Sequence, residues 1–356
     1  MRYGVDWSDA QEGWTALWNG RHRGRPCITV TAPNGKQPSC PPPLSGEQRW
    51  LDPAWVVRSF LNAFETTSYA GEAFPSGLIM AGWTVNTYGA TPRFAQETIW
   101  FDPISVDWDR PPTFDIDWQS PSFQKVLALH QAVLAAAGRD HFLTGLGCFM
   151  SGNDMLAMIL GAQTALLAMV ERPDWARAAI LKLAANYAAF QRHFCELARR
   201  TNDFWYGMPG WMPFWAPESF VATQSDISCM LSPEMFETFI VPELDLLGRQ
   251  FGNVWYHLDG QTALQHLPRL LSLPYIKVVQ FTPMAGTPFN GPDHLELYRK
   301  IQAAGKIVHI QTPVQNVEPL CRALDPGRLC MDVHCRGVQD ANALLEAAVR
   351  WTARGN

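Results

Sequence analysis

Side chains that can bind metals or transfer protons recur in three of the four β-rich segments in the last third of the chain. The set comprises His257, Asp259, His309, Asp332, His334 and Cys335. Imidazole, carboxylate and thiolate groups are the usual protein ligands of zinc, and imidazole and carboxylate also act as general acids and bases. The segments therefore indicate a metal site or an acid–base site, with His257, Asp259 and His309 as catalytic candidates.

These polar residues share one alternation phase in each segment. Side chains two residues apart on a strand point to the same face, so His257 and Asp259 share a face and Leu258 lies on the other. The corresponding phase of the other segments contains three residues that we assign to substrate binding, Gln280, Gln311 and His334. The outer face of a barrel strand is covered by helices and is apolar. The polar phase is therefore predicted to point inward, at the strand ends where barrel enzymes place their sites.

Strands and helices alternate along the chain, which predicts parallel strands covered by helices. The last four predicted strands span residues 253–260, 276–283, 306–313 and 328–335. Upstream, the predicted strands span residues 28–33, 76–82, 142–149 and 203–208, and the predicted helices span residues 53–63, 123–137, 154–170 and 174–199. Eight strands predict an α/β fold of the (β/α)8 TIM barrel type with an N-terminal extension and loop insertions. We expect residues 1–356 to form one domain, with residues 1–70 as the N-terminal extension plus the first strand.

The composition argues against several classes of protein. The chain has 356 residues, a net charge of −5, 17% charged residues and 47% apolar residues. A low and negative charge argues against nucleic-acid binding, and a high apolar content argues against disorder. The glycine motifs of phosphate-binding loops and of serine hydrolases do not occur in the sequence.

Neither export nor membrane insertion is expected. Acidic residues at positions 6, 9 and 12 interrupt the region where a signal peptide would be apolar. The longest apolar run, residues 155–170, is shorter than the roughly 20 residues that span a bilayer. The eight cysteines contain no C-x-x-C pair, so we expect a chain without a disulfide framework in a reducing cytoplasm.

Tryptophan is abundant, with 15 residues in the chain. Trp83 and Trp211 fall at or near the ends of predicted strands, and we assign them to substrate binding. A shortage of charge combined with aromatic side chains predicts a largely apolar pocket around a small polar centre. We therefore expect a small or amphipathic substrate.

Four short segments form a set that resembles a known superfamily. They are Gln-Ser-Asp at 224–226, Leu-Ser-Pro-Glu at 231–234, Tyr-His-Leu-Asp-Gly at 256–260 and Leu-Cys-Arg-Ala-Leu-Asp-Pro at 320–326. With these segments the chain resembles the uroporphyrinogen decarboxylase-like superfamily, over most of its length from about residue 140. The resemblance implies a (β/α)8 barrel. It also implies that Asp226 is a carboxylate that faces the substrate at the barrel mouth, which makes Asp226 a further catalytic candidate.

The superfamily contains tetrapyrrole decarboxylases and corrinoid-linked methyltransferases. The decarboxylases hold their substrate with an arginine-rich motif that this chain lacks, and the inward phase of the last four strands has no Arg or Lys. The methyltransferases bind zinc through a His-x-Cys pair and a later cysteine. The resemblance to that branch implies zinc or another divalent metal on His257, Asp259 and Cys335, a corrinoid protein as methyl donor and a small-molecule substrate. Strand alternation directs His334 inward instead, so both His334 and Cys335 stay open at this position.

Two other functions fit the same residues. Tryptophans over an acidic barrel mouth would suit a carbohydrate-active hydrolase, which needs two carboxylates roughly 5 to 10 Å apart. Asp226 and Asp259 are the pair that would serve. A barrel that lost the family's thiolates could also bind a small molecule without catalysis. The resemblance makes a homodimer the expected assembly.

Overall fold

The computed structural model describes residues 3–79, 81–140, 142–146, 150–201, 207–208 and 212–353. Within these ranges the strands are β1 (Cys27–Pro33), β2 (Thr67–Gly71), β3 (Ser76–Ile79), β4 (Thr91–Phe94), β5 (Ile99–Asp102), β6 (Leu143–Leu146), β7 (Gly207–Met208), β8 (Phe214–Trp215), β9 (Val221–Gln224), β10 (Val254–Asp259), β11 (Ile276–Thr282), β12 (Ile307–Gln311) and β13 (Leu329–His334).

The α-helices of the same ranges are α1 (Trp7–Trp18), α2 (Gly46–Leu51), α3 (Pro53–Thr66), α4 (Pro121–Asp140), α5 (Gly152–Leu160), α6 (Ala162–Glu171), α7 (Pro173–Thr201), α8 (Pro233–Met235), α9 (Val241–Phe251), α10 (Leu267–Ser272), α11 (Leu295–Ala303), α12 (Val314–Ala323) and α13 (Val338–Ala353). A π-helical turn, Phe236–Ile240, joins α8 to α9, and 3-10 helices span Ala81–Tyr88, Asp226–Met230, Gln261–His266, Pro292–His294 and Pro326–Arg328.

Seven strands form one sheet in the order β2, β1, β13, β12, β11, β10, β9. All neighbours in this sheet run parallel except β1 and β2. β3 and β6 form a separate parallel pair, while β4 with β5 and β7 with β8 form antiparallel pairs. The α/β architecture with a mostly parallel sheet is confirmed. Within the described residues no ladder joins β3 and β6 to the larger sheet, so strand pairing does not show a closed barrel.

The upstream strand beside β10 differs from the prediction. β9 occupies that place, in a segment where the sequence predicted no strand. All four residues of β9 are buried, so the segment has no alternation of polar and apolar residues to mark it. The predicted strand at residues 203–208 lies largely outside the described residues, and its last two residues, β7, run antiparallel to β8.

The single apolar helix predicted at residues 154–170 is two helices, α5 and α6, bent by 113°. Gly161 between them has a φ of +80°. This left-handed conformation suits glycine, which has no Cβ to clash with the backbone. In the described ranges no single helix is long and apolar enough to cross a membrane, although the bent pair reaches that length and composition when its two helices are taken together.

The two faces of the large sheet have different contents. One face, with residues such as Val279 and Val308, packs against helices in the main apolar core. On the other face, Trp255 and Cys330 near the strand starts join a smaller aromatic cluster with Trp14 of α1. Strand alternation continues this second face toward the strand ends, where the polar residues lie. The second face therefore carries the candidate site.

Candidate functional site

The polar residues of the last four strands lie together on this second face. His257, Gln280, His309 and Asp332 are buried there, and Asp259, Gln311 and His334 are exposed at the edge. Neighbouring strands pair these residues directly, since His257 is the register partner of Gln280 and Gln311 is that of Asp332. The common phase of these strands thus brings residues from distant parts of the chain to one edge.

Three of the candidates form a compact group at this edge. Asp226, His257 and Asp259 each offer one ligand atom, and these three atoms lie within 4.8 Å of one another. His257 is buried, while the two carboxylates are exposed to solvent. The group therefore has two carboxyl groups on its open side and one imidazole behind them. We call it the rim cluster.

Gln280 fixes the proton position on His257. The Nδ1 atom of His257 hydrogen-bonds to Oε1 of Gln280, and Nε2 of Gln280 donates to Thr282 Oγ1 at 3.0 Å. Because an amide oxygen only accepts, Nδ1 carries the proton and Nε2 the lone pair. Burial lowers the pKa of His257, against the opposing effects of Gln280 and of nearby carboxylates. A neutral imidazole held by its other nitrogen is the form that binds metals.

Asp226 is held in place by Asp154 and Gln224. The carboxylate of Asp154 accepts the N–H groups of Asp226 at 2.9 Å and Ile227 at 3.1 Å. Nε2 of Gln224 donates to Asp154 at 3.0 Å and to Asp226 at 2.6 Å. Asp226 is open to solvent on one side. Loss of solvation on the other side, with the negative charges of Asp154 and Asp259, raises the pKa of Asp226. Crowded carboxylates of this kind are stabilised by a cation.

Glu243 on α9 holds the helix turn that carries Asp154. Its buried carboxyl group accepts hydrogen bonds from Ser151 Oγ at 2.8 Å, from the Asn153 N–H at 2.9 Å and from Asn153 Nδ2. A Cβ atom on Gly152 would lie 2.5 Å from Glu243 Oε2, so the close approach requires glycine. Burial raises the pKa of Glu243 to about 8. Glu243 therefore positions the first turn of α5, and through it Asp154.

A second group of possible ligands lies deeper on the same face. His309, Cys330 and Asp332 offer atoms within 4.8 Å of one another, and all three are buried. The Trp255 indole N–H donates to His309 Nδ1 at 3.1 Å, so His309 Nε2 donates to Asp332 at 3.0 Å. Asp332 also accepts from Thr29 Oγ1. We call this group the inner cluster. Both ring nitrogens of His309, a catalytic candidate, are engaged within the protein.

Cys335 belongs to neither cluster. Its side chain is buried in the main apolar core, on the opposite face of the sheet, and its N–H donates to the Thr31 carbonyl at 2.8 Å. Asp226 accompanies His257 and Asp259 where the resemblance implied Cys335. His334, the alternative to Cys335 in the prediction, is exposed, and its Nδ1 atom lies 3.2 Å from Thr31 Oγ1. Cys335 directly follows His334, the last residue of β13, so strand alternation directs the Cys335 side chain to the face that the helices cover.

Two cavities open along the same edge. One has a volume of about 680 Å³ and lies over the ends of β11, β12 and β13. The other has a volume of about 210 Å³ and reaches Asp332. Gln311 and His334, both predicted to bind substrate, line both cavities. The side chain of Trp83 and the whole of Trp211 lie outside the described part of the chain.

The donor set of the rim cluster suits a divalent ion. Two carboxylates and one imidazole match the ligands that Zn²⁺, Mn²⁺ and Fe²⁺ take in proteins. Gln280 supplies the hydrogen bond that orients a metal-binding histidine through its second nitrogen. Asp226, His257 and Asp259 are the residues that would hold the ion.

Sequence reasoning missed the residues that support the rim cluster, namely Asp154, Gln224 and Glu243. The sequence surroundings of Asp154 and Glu243 could have indicated that these residues matter. Asp154 ends a run of small polar residues at the start of an otherwise apolar helix, and Glu243 lies between apolar residues on the buried side of α9. A charged residue on the apolar side of a helix requires buried partners, so its position can indicate a structured polar site.

Comparison with known proteins shows a likeness to a solved structure. No family model matches the chain, and no curated protein matches it by sequence. Among solved structures, the chain is similar to a methyltransferase from Methanosarcina mazei with a TM-score of 0.60 and 10% sequence identity, over 96% of this chain and 98% of that one. At this level of identity the likeness shows that the two chains share a fold.

Proposed function

We propose that this chain is a metal-dependent methyltransferase acting on a small molecule. The observation that carries the proposal is the rim cluster, in which Asp226, His257 and Asp259 converge at the carboxyl ends of parallel strands. The fold shared with a methyltransferase supports the reaction class. The uroporphyrinogen decarboxylase-like superfamily, a single (β/α)8 barrel domain and a methylated corrinoid protein as donor are the finer parts of this proposal.

The residues of the site have separate roles. Asp226 and Asp259 provide the charge that retains a cation, and His257 provides a neutral nitrogen ligand. Gln280 holds the imidazole in the tautomer with its lone pair on Nε2. A divalent ion bound here would lower the pKa of a thiol or water ligand and so favour its nucleophilic, deprotonated form.

Metal binding is the first test. The purified chain is stripped with EDTA and titrated with Zn²⁺ by calorimetry, in parallel with His257→Ala and with the control His22→Ala. His22 is an exposed histidine remote in sequence from the cluster. We expect about one ion per chain for the parent and the control, and loss of binding for His257→Ala. A parent chain that binds no ion would contradict the proposal.

Activity is the second test. Methylcobalamin serves as donor and a panel of small thiols as acceptors, and the absorbance of methylcobalamin follows the reaction. We expect turnover that EDTA abolishes and Zn²⁺ restores. Hydrolysis of a sugar substrate that persists in EDTA would favour the carbohydrate-active hydrolase instead. Ligand binding without any turnover would favour a non-catalytic binding barrel.

A further inference from the structure

The larger cavity adjoins the rim cluster directly. It is bounded by the ends of β11, β12 and β13 and by the loop that follows β11. Thr282, which lines it, is the register partner of Asp259 and accepts the hydrogen bond from Gln280. The volume of about 680 Å³ is in the range of small-molecule sites. A ligand in this cavity would therefore lie beside the proposed metal ligands.

The wall of this cavity carries no fixed charge. None of its described lining residues is Asp, Glu, Lys or Arg, and the titratable residue among them is His334. Apolar groups come from Pro283, Met284, Phe289 and Pro313. Phe289 is 76% exposed and Met284 is 49% exposed, which leaves a large apolar surface open toward the cavity. Such a surface favours an apolar ligand.

The polar part of the wall is joined to the neighbouring strands by hydrogen bonds. The Asn290 carboxamide donates to the carbonyl groups of Phe281 and Gln311, both at 3.1 Å, and accepts from Tyr298 at 2.6 Å. Thr312 Oγ1 donates to the Asn290 carbonyl at 2.6 Å. These bonds join the loop to β11 and β12, so the cavity is built from ordered elements. Gln311, exposed at the end of β12, supplies an uncharged polar group to its wall.

The surroundings would repel an anion. The smaller cavity, which shares Gln311 and His334, reaches the carboxylate of Asp332. On the other side lie Asp226 and Asp259. A divalent ion held by these two carboxylates gives a centre with no net charge, so the metal-loaded site offers little attraction to an anionic group that the ion does not itself coordinate.

We infer that this cavity binds an uncharged, amphipathic molecule, with its apolar part against Met284 and Phe289 and a polar group at Gln311. The inference rests on the proposed function for the reaction at the rim cluster, and it names the substrate class. Carboxylate, sulfonate and phosphate ligands are disfavoured because the lining has no cationic partner for them.

Three matched probes test the charge preference. They are para-methoxybenzyl alcohol, para-methoxybenzoate and para-methoxybenzylamine, which share one ring and one methyl ether but are neutral, anionic and cationic. Calorimetry is run with Zn²⁺ and again with EDTA. We expect the alcohol to bind about tenfold more tightly than the benzoate in both conditions, and more tightly than the amine when Zn²⁺ neutralises Asp226 and Asp259. Tighter binding of the benzoate in either condition, tighter binding of the amine with Zn²⁺, equal binding of all three, or no binding of any would overturn the inference.

Two variants locate the binding. Phe289→Ala is expected to weaken binding of the alcohol about tenfold, since it removes an apolar wall. Leu44→Ala is the control, because Leu44 is 92% exposed and does not line the cavity. Gln311→Glu is expected to shift the preference toward the amine. Equal effects of Phe289→Ala and Leu44→Ala, or an unchanged preference in Gln311→Glu, would overturn the inference. None of these variants removes a proposed metal ligand, so zinc titration reports separately on the proposed function.

Discussion

The rim cluster and the inner cluster contain similar ligand types at similar distances, yet their surroundings differ. In the rim cluster the two carboxylates are exposed beside a cavity. In the inner cluster His309 lies between Trp255 and Asp332, and Asp332 also accepts from Thr29. Burial raises the pKa of the Cys330 thiol well above its usual value, which disfavours the thiolate that binds metals. Proximity alone does not make a metal site, because the ligands must also have lone pairs and access available.

The largest expected difference between the clusters is in metal affinity. His257→Ala removes a ligand of the proposed ion and should weaken Zn²⁺ binding by more than about 100-fold. His309→Ala should leave the affinity within about threefold of the parent, because His309 serves a closed internal network. Zinc titration by calorimetry measures both. A larger loss in His309→Ala than in His257→Ala would reverse the assignment of the two clusters.

The same pair of variants should differ in stability in the opposite sense. His309→Ala leaves the Trp255 N–H and the Asp332 carboxylate without their partner in a buried position, at a cost of about 2–3 kcal/mol. We expect His257→Ala to cost less, because it takes the hydrogen-bond partner from one buried group, Gln280 Oε1, whereas His309→Ala takes it from two. Urea unfolding of the metal-free proteins gives the two free energies. The exposed His334→Ala is the control and should change the free energy of unfolding by less than about 0.5 kcal/mol.

Substitution of a residue that positions the rim cluster should weaken metal affinity less than loss of a metal ligand does. Asp154→Asn loses an acceptor for the N–H groups of Asp226 and Ile227, and so loosens the carboxylate of Asp226. We expect about a tenfold weaker Zn²⁺ affinity. Asp174→Asn, an exposed substitution in the first turn of α7, is the matched control. Equal zinc affinities for the two variants would show that Asp154 does not position the site.

Glu243 gives a predicted effect on stability with a defined pH dependence. Its pKa, about 8 in the folded chain, lies above the value of about 4.5 for an exposed glutamate. Folding therefore favours the protonated form, and the stability that this form contributes is lost as the pH rises from about 5 to about 8. Glu243→Gln cannot ionise, so its stability relative to the parent should rise by at least about 1 kcal/mol over this range. Urea unfolding at both pH values measures the change, and a relative stability that falls with pH would contradict the assignment.

The sequence predicted the late part of the sheet better than the early part. β10 to β13 lie within the predicted strands, because each alternates polar and apolar residues and is followed by a helix. β9 was missed because a short strand that is buried throughout has no such alternation. The bend at Gly161 was missed because a continuous apolar run does not show where the chain turns.

The site residues on the late strands were likewise predicted better than those contributed by other segments. Alternation in the strands placed His257, Asp259, Gln280 and His309 on one face, and the structure brings them together there. The metal ligand set implied by the resemblance, with Cys335, stays a prediction, and the structure places Cys335 on the other face. The contribution of Asp226 depends on hydrogen bonds to α5, which lies about 70 residues earlier in the chain.

Local pattern thus determined the α/β class, the polar face and the edge at which the site lies, since these follow from periodicity within single segments. Only the tertiary structure decided which candidate ligands lie close together and which cavity adjoins the rim cluster. It also decided that His309 is the histidine whose two ring nitrogens are both hydrogen-bonded inside the protein. These features depend on contacts between residues far apart in sequence, such as Glu243 with Asn153 and Trp255 with His309. A linear pattern of residue types carries no direct record of such distances.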